Sequence, residues 1–96
     1  MKKINLAITG CMGRMGQQII KSIKTNKQFK LTTLTEYKKI NKKINGVTIN
    51  SNTEEVFKKV NLIIDFTVPK STFQILRIAS KLKKRVVIGT TGFSKN

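Results

Sequence analysis

The chain has 96 residues, 39% of them hydrophobic and 25% charged, which suits one small folded domain and excludes a disordered chain. No apolar run approaches the roughly 20 residues of a membrane span, and Ile4 to Ile8 falls short of the about 7–15 residues of a secretion signal core, so a cytoplasmic location with no membrane partner is expected. A single cysteine, Cys11, excludes an internal disulfide, and with no histidine beside it a metal site is not expected.

The balance of 20 Lys+Arg against 4 Asp+Glu gives a net charge of +16. A nucleic-acid-binding module is one reading of that charge. Against it, the lysines are spread along the chain and gather in no basic arm. Aromatic residues make up only 6%, which offers no stacking platform, and no helix-turn-helix, zinc or RNA-recognition signature is present. No nucleic-acid partner is therefore expected.

Ile4 to Ile8 is short, mostly apolar and closed by Thr9-Gly10, the signature of a buried parallel strand. Met15, Ile19, Ile20 and Ile23 then recur at helical spacing, predicting a helix from Gly13 to Thr25. Phe29 to Thr35 alternates and reads as a second strand ending at Glu36. Tyr37 to Asn45 is lysine-rich and aperiodic, a solvated loop, and Val47 to Asn50 is an edge-strand candidate. Thr53-Glu54-Glu55 opens a brief helix to about Lys59, with Asn52 or Ser51 as its cap. Val60 to Phe66 is the strongest strand. Phe73, Leu76, Ala79 and Leu82 mark an amphipathic helix from Ser71 to Lys83, and Val86 to Ile88 is a last strand stopping at Gly89.

Strands that alternate with helices predict an α/β fold with a mostly parallel sheet covered on both faces. Within that pattern, Gly10-Cys11-Met12-Gly13-Arg14-Met15-Gly16 lies between a buried strand and a periodic helix. A helix N-terminus offers unpaired N–H groups and partial positive charge to a phosphate, and glycine lets the backbone come close. The spacing is G-x-x-G-x-x-G, a variant of the commoner G-x-G-x-x-G, and is a weak signal alone. Glu36 strengthens it, since it ends the next strand about 20 residues on, where an acid that holds the adenosine ribose belongs.

A nicotinamide dinucleotide on a Rossmann-type domain is thus the preferred reading. An S-adenosylmethionine-dependent methyltransferase is the main rival enzyme, but its cofactor has no phosphate for this turn to hold. Arg14 is placed to meet phosphate or ribose. Cys11 has a helix N-terminus to activate it but no base near it in sequence, and reads as a turn residue. Asp65 has no paired acid or base and reads as a loop-fixing group.

The turn, together with Ile64-Asp65-Phe66-Thr67-Val68-Pro69 and Val87-Ile88-Gly89-Thr90-Thr91-Gly92-Phe93, resembles the dihydrodipicolinate reductase family over the whole chain. That resemblance implies an NADH- or NADPH-dependent oxidoreductase of diaminopimelate and lysine biosynthesis, reducing a cyclic dihydrodipicolinate precursor. It implies that Gly10, Cys11, Met12, Gly13, Arg14 and Met15 bind the pyrophosphate and Glu36 the adenosine ribose. Phe66 and Thr67 would lie near the nicotinamide, with Gly89, Thr90 and Thr91 lining its pocket. In a sheet of order 3-2-1-4-5, the first and fourth strands flank the crevice at the switch point.

Two departures bear on that expectation. Members of the family commonly carry arginine after the ribose acid, whereas this chain has Tyr37 followed by Lys38 and Lys39. The family's acid–base histidines, its substrate-binding lysine and its tetramer contacts belong to a C-terminal domain that this sequence lacks. Residues 1–96 are therefore expected to be a dinucleotide-binding fragment ending after its fifth strand, with no catalytic residue of its own. The parent protein is expected to be a homotetramer.

Overall fold

The middle of the sheet is set by β1 (Ile4–Thr9), whose Leu6, Ala7 and Ile8 are fully buried and point alternately to opposite faces. The computed structural model describes residues 3–37 and 40–89. After β1 come α1 (Arg14–Lys24), β2 (Phe29–Thr35), β3 (Lys43–Ile44) and β4 (Val47–Asn50). They are followed by α2 (Glu54–Phe57), β5 (Leu62–Asp65), α3 (Pro69–Leu82) and β6 (Arg85–Ile88). One sheet results, in the order β3-β4-β2-β1-β5-β6. Every pairing is parallel except that of β3 with β4.

Each face of the sheet carries its own core. On one side, Ile20 of α1 packs with Leu6, Ile8, Cys11, Leu34 and Ile49. On the other, Phe57 of α2 and Ile75 and Ala79 of α3 pack with Ala7, Val60 and Ile63. The helix α2 has only four residues and would not stand alone. It is held by Phe57, fully buried and worth about 1.5–3 kcal/mol, and by the exposed Glu54–Lys81 ion pair at 2.9 Å.

The α/β architecture and the 3-2-1-4-5 order of the five expected strands are observed, with three corrections. First, the stretch from Tyr37 to Asn45 is not all loop. Lys43–Ile44 pairs antiparallel with Val47–Thr48, so β4 is an inner strand and β3 the edge. The turn between them is Asn45-Gly46, with φ of 52° and 79°, the residue pair that a tight hairpin with two positive φ angles favours.

Second, β2 does not simply alternate. Its register against β1 shifts between Leu6/Ala7, so that Leu6 faces Leu31 while Ala7 faces Thr33. The extra residue, Thr32, brings both Leu31 and Leu34 onto the α1 side despite their odd separation. Third, the buried side of α3 is Ser71, Thr72, Ile75 and Ala79, with Phe73 61% exposed. This helix begins at Pro69, which suits a first-turn position because its missing N–H has no partner to lose.

Neither Asn52 nor Ser51 caps α2. Thr53 occupies the cap position without a side-chain bond, and Asn52 instead donates from Nδ2 to Ser71 Oγ and Gln74 Oε1 of α3. Among the described residues no helix is long and apolar enough to cross a membrane.

At Gly46 an added Cβ meets nothing within 4 Å, so only the left-handed backbone resists a side chain there. Gly46→Ala should lower stability by about 1–2 kcal/mol, read as a lower urea midpoint, while Asn45→Gly should leave the midpoint nearly unchanged. An unchanged midpoint for Gly46→Ala would contradict the turn assignment.

Candidate functional site

The turn from β1 into α1 uses up its own amides. Gly10 N–H donates to Thr35 O at 2.9 Å, Cys11 N–H to the same oxygen at 3.4 Å, and Gly13 N–H to Gly10 O at 3.1 Å. Met12 N–H donates to Glu36 Oε2 at 2.6 Å. The turn is thus clipped to the end of β2, and the acid that the sequence singles out is brought directly onto it. What remains for an anion is the first turn of α1, whose N–H groups lack intrahelical acceptors. That helix has no side-chain cap and no acidic residue in its first turn.

The glycines have different jobs. Gly10 has φ +70°, and a Cβ there would lie 2.7 Å from Phe66 O, so the turn and the loop after β5 touch backbone to backbone. A Cβ on Gly16 would lie 2.5 Å from Gly10 O. Its smallness therefore lets α1 pack against the turn itself. Gly13 differs from both: a Cβ there would meet only Gly10 O, at 3.4 Å. Space beside Gly13 is open.

The loop after β5 is positioned by Asp65, fully buried at the last paired position of β5, opposite Thr9. Its Oδ1 accepts from Thr9 Oγ1 and Thr67 Oγ1, both at 2.5 Å, and from Thr67 N–H at 3.1 Å. Its Oδ2 accepts from Thr72 Oγ1 on α3. Burial alone would push this carboxyl up, but the hydroxyls of Thr67, Thr72 and Thr9 and the Thr67 amide outweigh it and hold the carboxyl below its usual 3.8. The loop-fixing reading of Asp65 is what the geometry shows.

Gly13, Arg14, Met15, Gly16, Phe66, Thr67 and Gly89 surround a cavity of about 230 Å³ between the N-terminus of α1 and the ends of β5 and β6. Residues distant in sequence therefore meet at the switch point. Met15, expected on the apolar side of α1, is 54% exposed and lines this cavity instead. The Phe66 ring lies directly against Gly89, where a Cβ would displace it. Thr90, Thr91, Lys38 and Lys39 lie outside the described residues.

Cys11 faces away from the cavity. Its side chain is fully buried in the α1 core and its amide is bonded to Thr35 O. Burial, and then the negative charge of Glu36, push the thiol up from 9.0 to about 11. Such a thiol is protonated at neutral pH and is no nucleophile.

Sequence reasoning passed over Thr9 and Thr72, whose hydroxyls hold Asp65, and the Met12–Glu36 bond. A threonine at the end of each of two adjacent strands or helices, flanking one buried acid, is the signal available for the first pair. Nothing in the sequence signals the second.

A parallel sheet of this order, with a glycine-bounded turn into a helix at its switch point, defines a Rossmann-type α/β domain of the nucleotide-binding class. Residues 4–96 match the family described as dihydrodipicolinate reductase, N-terminus, and the chain belongs to that family. It is 70% identical over 95 residues to the 4-hydroxy-tetrahydrodipicolinate reductase of Pelagibacter ubique (strain HTCC1062), covering 99% of this chain and 37% of the relative. Identity to the reductase of the same name from Buchnera aphidicola subsp. Acyrthosiphon pisum (strain Tuc7) is 42%, over 98% of this chain and 39% of that protein. Among solved structures, a dipicolinate-bound dihydrodipicolinate reductase from Paenisporosarcina sp. TG-14 matches with a TM-score of 0.80 at 27% identity, over 98% of this chain and 40% of that one. The chain thus spans about two fifths of the length of these relatives.

Two outcomes follow from the site's buried groups. Because the Asp65 carboxyl lies below its usual value, the stability it contributes is present in full above about pH 5 and is lost as pH falls through the carboxylate range. Asp65→Asn should cost about 1–3 kcal/mol at pH 7 and visibly less at pH 3, measured by urea unfolding. An equal deficit at both pH values would count against the assignment. For Cys11, whose folded value is raised, the stability contribution is full below about pH 9 and fades as pH rises through about 11. Iodoacetamide should accordingly leave the folded protein unlabelled at pH 8 and label it rapidly in urea; rapid labelling without denaturant would refute the buried placement.

Proposed function

We propose that this chain is the nicotinamide-dinucleotide-binding domain of a 4-hydroxy-tetrahydrodipicolinate reductase. The observation that carries the reading is the cavity shared by the glycine turn, Phe66-Thr67 and Gly89, with Glu36 bonded to Met12 of the same turn. The residues fit the group: Gly13 leaves open the space that a phosphate needs, and the first turn of α1 has no anion of its own.

In this reading the N–H groups at the start of α1 and the Arg14 guanidinium hold the pyrophosphate. Glu36, with Oε2 held by Met12 N–H, presents its other oxygen to the hydroxyls of the adenosine ribose. Phe66, Thr67 and Gly89 wall the nicotinamide half, and Met15 shields that end from water. Gly10, Cys11 and Met12 act through backbone shape, since their amides are already committed to Thr35 and Glu36. When bound, the dinucleotide supplies a hydride. The chain has no histidine to give the accompanying proton, so proton transfer and substrate binding are assigned to the part of the relatives beyond this chain's match, as is assembly into a tetramer. The reduction of the cyclic dihydrodipicolinate precursor, for lysine and diaminopimelate synthesis in the cytoplasm, is the activity of that whole protein.

Either NADH or NADPH serves as cofactor in this reading, with NADH not disfavoured. The position after Glu36 carries Tyr37, whose ring can stack on adenine but cannot neutralise a 2′-phosphate. The Lys70 ammonium 5.6 Å from the Tyr37 ring centroid, a cation–π distance, leaves a positive charge at that end. Fluorescence titration should give NADH and NADPH dissociation constants within tenfold of each other, about 1.4 kcal/mol. An NADPH preference above tenfold would reject the dual use, and no binding of either would reject the domain assignment.

A further inference from the structure

Spread through the sequence, many of the basic residues gather in space at one end of the sheet. The parallel strands β2, β1, β5 and β6 are neighbours and all start on one edge, opposite the edge that carries the dinucleotide cavity. Lys3 precedes β1, and Lys27 and Lys30 flank the start of β2. Lys58 and Lys59 lead toward β5, and Lys83, Lys84 and Arg85 into β6. Hydrogen bonds put these segments side by side. Ile4 N–H donates to Gln28 O at 2.8 Å, Asn61 N–H to Asn5 O at 2.8 Å, and Asn5 Nδ2 to Lys59 O at 2.9 Å. Leu62 in turn pairs with Arg85.

This concentration of like charge is held against a cost. Lys84 Nζ donates to Lys58 O at 2.8 Å, which brings one ammonium onto the backbone of another lysine. Lys83 caps the end of α3 with φ 58°, a left-handed position that favours glycine and where a side chain costs about 1–2 kcal/mol. Among the described residues, only Lys58 of these eight basic groups has a carboxylate partner, Glu55 at 3.3 Å. Glu36 and Asp65 lie at the opposite end of the strands, after β2 and at the end of β5. The carboxyl ends of α1 and α3 offset part of the charge, and a net excess remains.

The edge is otherwise poor in anchors. Of the exposed large hydrophobic side chains among the described residues, only Ile4 lies on it. Phe29 is partly buried in the α1-side core, and Phe57 is fully buried. A protein partner or a membrane would call for an apolar centre, and a single strand for rings on which to stack. What suits the edge is a rigid row of phosphates. Four neighbouring strands about 4.8 Å apart make it about 14 Å long, and that length of duplex axis carries about eight phosphates.

We propose that this amino-terminal edge of the sheet is a docking surface for double-stranded DNA, held through its phosphates without reading the bases. The surface lies about 15–20 Å from the dinucleotide cavity, across the length of the strands. Cofactor and DNA therefore occupy the domain together.

Anisotropy titration of a labelled, mixed-sequence DNA duplex at physiological salt and saturating NADH tests this. The chain should bind the duplex. The quadruple variant Lys27→Gln, Lys30→Gln, Lys59→Gln, Lys83→Gln should weaken DNA at least tenfold and flatten the salt slope by about 3–4. NADH affinity should be unchanged in that variant, and the matching arginine quadruple should retain DNA. Glutamine at the exposed Lys21, Lys42, Lys43 and Arg77 removes the same charge elsewhere and should weaken DNA less than threefold. Equal weakening by the two glutamine quadruples would overturn the proposal by showing diffuse charge alone. So would a wild-type chain that binds no duplex, release of DNA by NADH, or tighter binding of a single strand of the same sequence. Phosphatidylserine vesicles that displace the duplex would overturn it in favour of a membrane surface.

Discussion

The crevice at the switch point depends on one buried carboxylate. Asp65 collects hydrogen bonds from Thr9 on β1, Thr67 in the following loop and Thr72 on α3. Three elements are thereby tied at one point through side-chain hydrogen bonds. A carboxylate can be buried here because its lone pairs are met by oriented hydroxyls and an amide, which lowers its proton affinity despite desolvation. Hydrogen bonds to a charged group are also stronger than neutral ones. With Asp65 in place, Phe66 N–H reaches Thr9 O at 3.1 Å and the Phe66 carbonyl comes against Gly10. The two walls of the cavity are thereby set at a fixed separation.

The glycine turn shows a division of labour that its pattern alone conceals. Gly10 and Gly16 are demanded by the chain's own backbone, which leaves no room for Cβ at either place. Gly13 is not demanded in that way and instead keeps space open toward the cavity. Similarly, the amides of Gly10, Cys11 and Met12 clip the turn onto β2 and Glu36, and that of Gly13 closes the turn on Gly10 O. The first turn of α1 is left with no side-chain cap and no acidic residue of its own.

The hairpin β3–β4 has consequences beyond its size. By standing where a second helix would cover the sheet, it turns β4 into an inner strand and leaves the α1 flank open. The overall charge of +16 is therefore not spread evenly in effect. On the α2–α3 side Lys58 and Lys81 meet glutamates, whereas Lys21 and Lys24 on the α1 flank meet none among the described residues.

Much of this was legible in the residues taken alone. Short apolar or alternating runs, closed by glycine or by polar residues, marked five strands, because a strand in a covered sheet needs little else. The turn at Gly10 to Gly16 with Glu36 marked the site, because phosphate and ribose require those chemistries at that separation. Asn45-Gly46 also signalled its hairpin, but within a lysine-rich stretch whose charge masked it. Other features depended on distance in space. The bulge at Thr32, the Thr9–Asp65 bond and the Met12–Glu36 bond each depend on a partner on a different strand or turn, and the burial of Ile75 rather than Phe73 depends on packing against Ala7, Phe57, Val60 and Ile63. Sequence determined the main strands and helices and the place of the glycine turn between β1 and α1. Only the tertiary structure decided which polar groups satisfy one another, because a buried hydrogen bond is specified by the positions of both partners and neither sequence neighbourhood records the other.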